Sequence, residues 1–339
     1  PYFSWDPELY AQVFRDKCEQ VGYNKITLVP KTAKVHRTIA VEPLLNGYLQ
    51  NGVDVVLRRR LRRFGIDLTS QSRNQELARQ GSLPGVDDPY VTIDLKEASD
   101  SISLELCKDL LPPDWFEFLS NLRSPNYLLD GKKFAYQKFC SMGNGFCFPL
   151  ETLIFSSVCA AVYDRRRRAP DFSVYGDDII VRQSLAQEVL KGLREFGFRH
   201  NIEKTFLEGP FRESCGADWY LGEDVRPVTV DAFPSTLGEL FTLHNKTLRS
   251  SKSKLLFQEG RDHLRSLVPL RWRFVRPFAG NADSAFEVEH DLAMSSPHTF
   301  WNRETWSWKW RELVSSAPSD RAYDLDHRYP AVLLQAALR

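Results

Sequence analysis

One stretch of this 339-residue chain stands out chemically: Val174-Tyr175-Gly176-Asp177-Asp178-Ile179-Ile180-Val181, an apolar run that breaks at a glycine, shows two carboxylates and resumes. The pattern predicts two short strands joined by a tight turn, with Gly176 supplying the turn conformation and the acids held at the tip. By itself an Asp-Asp pair in a turn is most often only a solvated turn. A third acid bears on that reading, because Asp94 ends the apolar strand Tyr90–Ile93 and is followed by Ala98-Ser99-Asp100-Ser101. Crowded carboxylates raise one another's pKa and resist ionisation, an effect that divalent cations remove. Magnesium takes a few carboxylates plus phosphate and water, and a two-metal site sets its ions roughly 3.5–4 Å apart across an in-line displacement. Taken alone, the three acids read equally well as such a clamp or as unrelated surface acids.

The elements that must position them are legible in part. Residues 90–230 alternate strand and helix signals: a strand over Tyr90–Leu95, a helix over Ser101–Leu111 stopped by Pro112-Pro113, and hairpin-turn chemistry at Leu128–Lys132. An apolar-faced helix over Pro149–Tyr163, the two strands within Phe172–Arg182 and a helix over Leu185–Phe196 follow. Upstream, residues 6–19 read as a helix, Ile26–Val29 as a short apolar run and Leu44–Leu61 as a helix; the opening on Pro1 reads as a fragment. From about residue 280 the signal weakens. The cluster Phe300, Trp301, Trp306, Trp308 and Trp310 has the composition of a base-stacking platform, but its spacing is expected to mean core packing.

Lys+Arg 45 against Asp+Glu 44 gives no global reason to expect a nucleic-acid partner. The distribution does: residues 25–63 carry nine basic and two acidic residues, and residues 244–276 repeat nine against two. Either run alone reads as a solvated face; two of them flanking a carboxylate-rich middle fit a polyanion channel. No stretch approaches about 20 consecutive apolar residues, so no membrane partner and a cytosolic setting are expected. Six cysteines (18, 107, 140, 147, 159 and 215) without a CxxC pair argue against a zinc site or disulfide framework and for buried, reduced thiols.

An ordered series of motifs makes the match specific: Lys31–Glu42 (KTAKVHRTIAVE), Asp94–Ser103 (DLKEASDSIS), Ser141–Gly145 (SMGNG), Tyr175–Asp178 (YGDD), Glu203–Phe206 (EKTF) and Phe211–Gly216 (FRESCG). Over roughly residues 25–230 the chain resembles the RNA-dependent RNA polymerases of positive-strand RNA bacteriophages of the levivirus and Qbeta type. The resemblance implies an α+β right-hand fold whose palm is an antiparallel sheet backed by helices. It divides the chain into partial fingers at 1–89, a palm at 90–230 with a fingers insertion near 112–140, and a thumb with the C-terminal region at 231–339. Compared with such replicases, a substantial N-terminal part of the fingers is expected to be missing.

By the same resemblance, Asp94 and Asp177 are the principal ligands of two Mg²⁺ ions, with Asp178 close by, the Leu95 carbonyl assisting and Mn²⁺ a substitute. Lys204 matches the lysine that protonates leaving pyrophosphate. Lys31, Lys34 and above all Arg37 match the residues that grip the incoming triphosphate. Asp100 and Asn144, the latter in the loop of Ser141 and Gly143, are the candidates for reading the ribose 2′-hydroxyl. Arg58, Arg59, Arg62, Arg271 and Arg273 are the expected contacts to RNA. Implied partners are template and nascent RNA, NTPs and, as in relatives, host elongation factors Tu and Ts and ribosomal protein S1, in the cytoplasm of a bacterial host. The competing readings are a reverse transcriptase-like polymerase, which shares the palm chemistry, and a non-catalytic RNA-binding fragment.

Overall fold

The computed structural model describes residues 12, 19, 21–31, 35–230, 233–249, 257–277 and 282–313. Most of the helix expected over residues 6–19, together with Cys18 and Lys34, lies outside them. The chain divides between Val225 and Arg226 into two units.

The first unit opens with strands β1 (Tyr23–Pro30) and β2 (His36–Val41), helix α1 (Leu44–Arg63) and helix α2 (Ser72–Gly81). Strand β3 (Tyr90–Ile93) and the short helices α3 (Leu104–Leu110) and α4 (Pro113–Leu122) follow, then strands β4 (Asn126–Leu129) and β5 (Lys132–Ala135). The long helix α5 (Cys147–Arg165), strands β6 (Ser173–Tyr175) and β7 (Asp178–Arg182), helix α6 (Gln183–Glu195) and the small sheet β8 (Phe211–Ser214), β9 (Ala217–Tyr220) and β10 (Glu223–Asp224) complete it. The β4–β5 hairpin turns at Asp130 and Gly131, both at positive φ, as the type I′ turn requires. It joins β1 and β2 in one sheet of order β2-β1-β4-β5, with β1 and β4 parallel.

The sheet that carries the acids has order β3-β7-β6 and is antiparallel throughout. Its strands are near-continuous apolar runs because both faces are covered. Val91, Ile93, Ile179 and Val181 point to the main core with Leu150, Ile154 and Phe155 of α5 and Leu185, Val189 and Leu193 of α6. Tyr90 and Ile180, on the opposite face, pack with Ala78 of α2. Fully burying a side chain of this size stabilises by roughly 1.5–3 kcal/mol, so the sheet is a rigid platform. Helix α6 buries one stripe, Leu185, Ala186, Val189, Leu190 and Leu193. Helix α5 is broader than the apolar face expected: it is buried on most of its circumference, and its length and composition alone would suit a membrane span. It is the central core helix. Five cysteines, 107, 140, 147, 159 and 215, are buried free thiols.

The second unit holds helices α7 (Leu237–Arg249), α8 (Gln258–Ser266) and α9 (His290–Met294), the parallel pair β11 (Val275–Arg276) and β12 (Phe286–Glu287), and the hairpin β13 (Thr299–Asn302) and β14 (Ser307–Trp310). Its own core gathers Phe241, Val268, Phe274, Val275, Phe286 and Val288. Buried Glu287 is paired with Arg249 and with buried Arg276. Here the structure corrects one expectation. The aromatic cluster is not core: Phe300, Trp301, Trp306 and Trp308 are 50%, 43%, 80% and 41% exposed. Alternation along β14 marks a strand, but two strands that no layer among the described residues covers leave such side chains in solvent.

Candidate active site

Tyr175 pairs with Asp178 across the ladder, so Gly176 and Asp177 are the two central residues of the β6–β7 turn. Gly176 has φ +61°, the positive value at the first central position that type II′ hairpins need. Helix α5 forms the floor of this turn. The Gly176 amide donates to Thr152 Oγ1 at 3.0 Å, and that hydroxyl donates to the Phe148 carbonyl at 2.9 Å. A Cβ on Gly176 would lie 2.3 Å from the Phe148 ring and 3.1 Å from Glu151 Oε1. Phe148 in turn packs edge-on against Tyr175 at 5.0 Å.

The three acids meet at the ends of these strands. Burial is the main reason that Asp178 is pushed up to about 6, and repulsion from Asp177 adds to it. Ser214 Oγ donates to Asp178 Oδ1 at 3.2 Å, and the Cys215 backbone amide also supports the carboxylate. Asn74 donates to the Asp178 carbonyl at 3.2 Å and is itself held by Ser173 Oγ at 2.6 Å. Asp94 accepts from Asn201 Nδ2 at 3.0 Å; burial raises its pKa despite that bond, again with a contribution from Asp177. Asp177 is thus the charge that Asp94 and Asp178 share. Leu95 is buried and bridged through its backbone to His200. Lys204 donates to Glu213 Oε1 at 3.0 Å, and that contact, with the charges of Asp94 and Asp178 behind it, holds its pKa above the usual lysine value.

Glu151 escaped the sequence reading. It is 6% exposed beneath the turn, and burial, aided by Asp177, pushes it up to about 8. Its signal was present: it is the lone acid in the apolar run from Cys147 to Tyr163. Asn201, Ser214, Cys215 and Glu213 were likewise assigned no role.

Near the turn, the Ser141–Gly145 loop is clamped from two sides. A Cβ on Gly143 would lie 2.1 Å from the Ala40 carbonyl of β2, and the Gly145 amide donates to Gln50 Oε1 of α1 at 3.0 Å. Buried Asn144 accepts from the Ser141 amide at 2.7 Å and donates to Glu42 Oε1 at 2.8 Å, so both ends of its side chain bind protein. Glu42 also accepts from Asn24 at 3.1 Å and from the Ser124 hydroxyl at 2.6 Å, which makes it the junction of four segments. Asp100, on a single turn at Ser99–Ser101, pairs with Lys138 and is partly exposed.

Among the basic candidates, Lys31 and Arg37 are exposed on the β1–β2 hairpin, where Arg37 faces Val29 in the ladder. On α1, Arg58 clasps both oxygens of Asp54 at 2.8 Å and lies over the Phe148 ring, Arg62 reaches Asp67 at 3.2 Å, and Arg59 is exposed. In the second unit Arg273 donates to the Val268 and Ser266 carbonyls at 2.6 and 3.2 Å, closing the end of α8, while exposed Arg271 lies over Trp272.

Among the described residues, no group of three or more His, Cys, Asp or Glu side chains forms a ready-made metal cage. The donor set nevertheless suits magnesium, which takes few carboxylates and completes its shell with phosphate and water. Buried carboxylates with raised proton affinity are a deficit of positive charge, which a divalent cation bound there would correct. The sign of the pH dependence follows. Glu151 and Asp178 bind protons more tightly folded than unfolded, so their contribution to stability is full below the ordinary carboxylate range and is lost as pH rises toward about 8 and about 6. In EDTA, the melting temperature is expected to fall from pH 5 to 8, and Glu151→Gln to flatten the upper part of that fall. A wild-type melting curve independent of pH over this range would refute the assignment.

Comparison with known proteins places the chain in a family. The family model described as RNA replicase, beta-chain, matches residues 10–254. The RNA-directed RNA polymerase subunit beta of Escherichia virus Qbeta is 48% identical over 207 residues, 60% of this chain and 35% of that protein. Its counterpart in Enterobacteria phage SP is 43% identical over 251 residues, 71% of this chain and 43% of that one. The chain therefore spans less than half the length of these relatives. Among solved structures, the RNA-dependent RNA polymerase of a human picobirnavirus superposes with TM-score 0.50 at 17% identity, covering 74% of this chain and 56% of that one. That likeness is one of fold. With the family model matching well over half of its residues, the chain belongs to the RNA replicase β-chain family.

Proposed function

We propose that this chain carries the catalytic centre of an RNA-directed RNA polymerase that replicates a positive-strand phage genome in the cytoplasm of its bacterial host. The observation that carries the reading is the meeting of Asp94, Asp177 and Asp178 at adjoining strand ends, where two share the field of the third. Two Mg²⁺ ions bound there would activate a 3′-hydroxyl and neutralise the triphosphate. The chain's own residues do the rest. Arg37 and Lys31 grip the triphosphate, and Lys204, kept protonated by Glu213, stands ready to donate to the leaving pyrophosphate. Asp100, with its carboxylate at the surface, reads the ribose 2′-hydroxyl, while Asn144 holds the loop in place through Glu42. In right-hand terms the β3-β7-β6 sheet with α5 and α6 is the palm. The shared sheet of β1, β2, β4 and β5 supports assigning the insertion near 112–140 to the fingers, and the separate unit that starts at Arg226 supports assigning residues from 231 onward to the thumb. Elongation factors Tu and Ts and ribosomal protein S1 belong to the proposal as partners of the complete polymerase.

The test is primer extension on an RNA template in Mg²⁺, with NTPs and dNTPs compared. Incorporation of NTPs in strong preference is expected; equal use of dNTPs would favour a reverse transcriptase, and RNA binding without synthesis a non-catalytic fragment. In the same assay Asp100→Ala is expected to lower the NTP/dNTP ratio of kcat/KM by about tenfold or more, because a site built to bond a hydroxyl rejects the analogue lacking it. An unchanged ratio would remove Asp100 from the site.

A further inference from the structure

We infer that the β13–β14 hairpin and the segment at its foot, both in the second unit, form a stacking platform for single-stranded RNA beyond the residues matched by the family model. Trp301 faces Trp308 across the ladder and packs edge-on against it at 5.5 Å, and Trp306 packs edge-on to Trp301 at 6.5 Å. The segment carrying Arg271 and the 40% exposed Trp272 reaches the hairpin through Phe274 and His298, whose rings meet at 5.1 Å, and through the Leu270 carbonyl. Arg271 is exposed beside Trp272 and Arg303 in the same turn as Trp306, while exposed Lys309 pairs with Phe300 on the opposite face of the hairpin. Of the acids in the hairpin region, Glu312 is drawn to Ser284 and Arg276, which leaves Glu304. Open indole faces interleaved with cations are what bases and phosphates of a single strand require.

The Trp301–Trp308 pair has a bland role as well, since an isolated two-stranded hairpin needs cross-strand packing to persist. Trp306 touches Trp301 edge-on but lies outside the ladder. It sits in the turn, 80% exposed, at φ +48°, a backbone region that disfavours bulky side chains. A ring held there against backbone preference is better explained by something that binds it.

The inference rests on the polymerase reading only for the identity of the polymer, and its test separates the two. Binding of fluorescent oligoadenylate, oligouridylate and an abasic phosphodiester of equal length would be measured by anisotropy on the full chain, wild type and Trp306→Gly. Wild type is expected to bind oligoadenylate most tightly and the abasic strand least. Trp306→Gly is expected to weaken oligoadenylate about 5- to 150-fold, the loss of one stacked base, while its melting temperature holds or rises. Base photocrosslinks should map to residues 301–308. Equal binding of the abasic strand, or unchanged affinity in Trp306→Gly, overturns the platform. So does a dimer in sedimentation that Trp306→Gly dissolves while oligoadenylate affinity stays the same. Loss of NTP incorporation with this pattern intact would sink the polymerase reading and leave the platform standing.

Discussion

Asp177→Asn is expected to abolish nucleotide addition while making the metal-free protein more stable. The two effects have one cause. Burial raises the pKa of Asp94, Asp178 and Glu151, and repulsion from Asp177 raises each further, so the folded chain carries an unrelieved cluster of negative charge. Removing that charge lets its neighbours relax toward ordinary carboxylate behaviour, and melting in EDTA should move upward. Catalysis moves the other way, because groups that merely orient metal ligands already alter affinity or activity about 10–100-fold, and loss of a ligand charge exceeds this. RNA binding should be unchanged. Extension above about a tenth of wild type in Mg²⁺ would show that Asp177 is not a ligand. A drop in metal-free stability would show that its charge adds nothing to what burial does to the pKa values.

The second large effect is expected at Gly176→Ala, through the backbone and the floor of the turn together. A non-glycine residue at positive φ costs roughly 1–2 kcal/mol. The added Cβ would also sit 2.3 Å from Phe148, a core-side contact whose relief adds roughly 1–3 kcal/mol. Gly131→Ala supplies the control, since Gly131 has φ +76° with nothing within 4 Å of a built Cβ. Urea denaturation should therefore show the larger loss at Gly176, and Phe148→Leu should recover part of it. Nucleotide addition should fall with Gly176→Ala and hold with Gly131→Ala. Equal losses of stability would mean that the floor yields and does not fix the turn.

Local chemistry explains what was legible in the sequence. The acid-bearing strands announced themselves because both faces are buried, and the two hairpins because Gly176 and Asp130-Gly131 meet explicit turn requirements. Glu151 was harder: a lone acid in an apolar helix signals only that something unusual surrounds it, and here the surroundings come from a turn 25 residues later. The uses of Asn144 and Arg273 depend on contacts with Glu42 and with the end of a neighbouring helix, which composition does not encode. The aromatic hairpin failed for a related reason. Period-two spacing marks a strand but is silent on whether anything covers its faces.

The parallel pairing of β1 with β4 has a consequence for synthesis of the chain. Tyr23 aligns with Asn126, so about 100 residues must leave the ribosome before the edge of β1 finds its neighbour. At roughly 5–20 residues per second that interval is about 5–20 s. Throughout it the β1–β2 hairpin offers an unpaired strand edge, and the Glu42 carboxylate waits for Ser124 and Asn144. The sheet that presents Arg37 is therefore assembled late on the nascent chain, after both of its first strands have been made and left waiting.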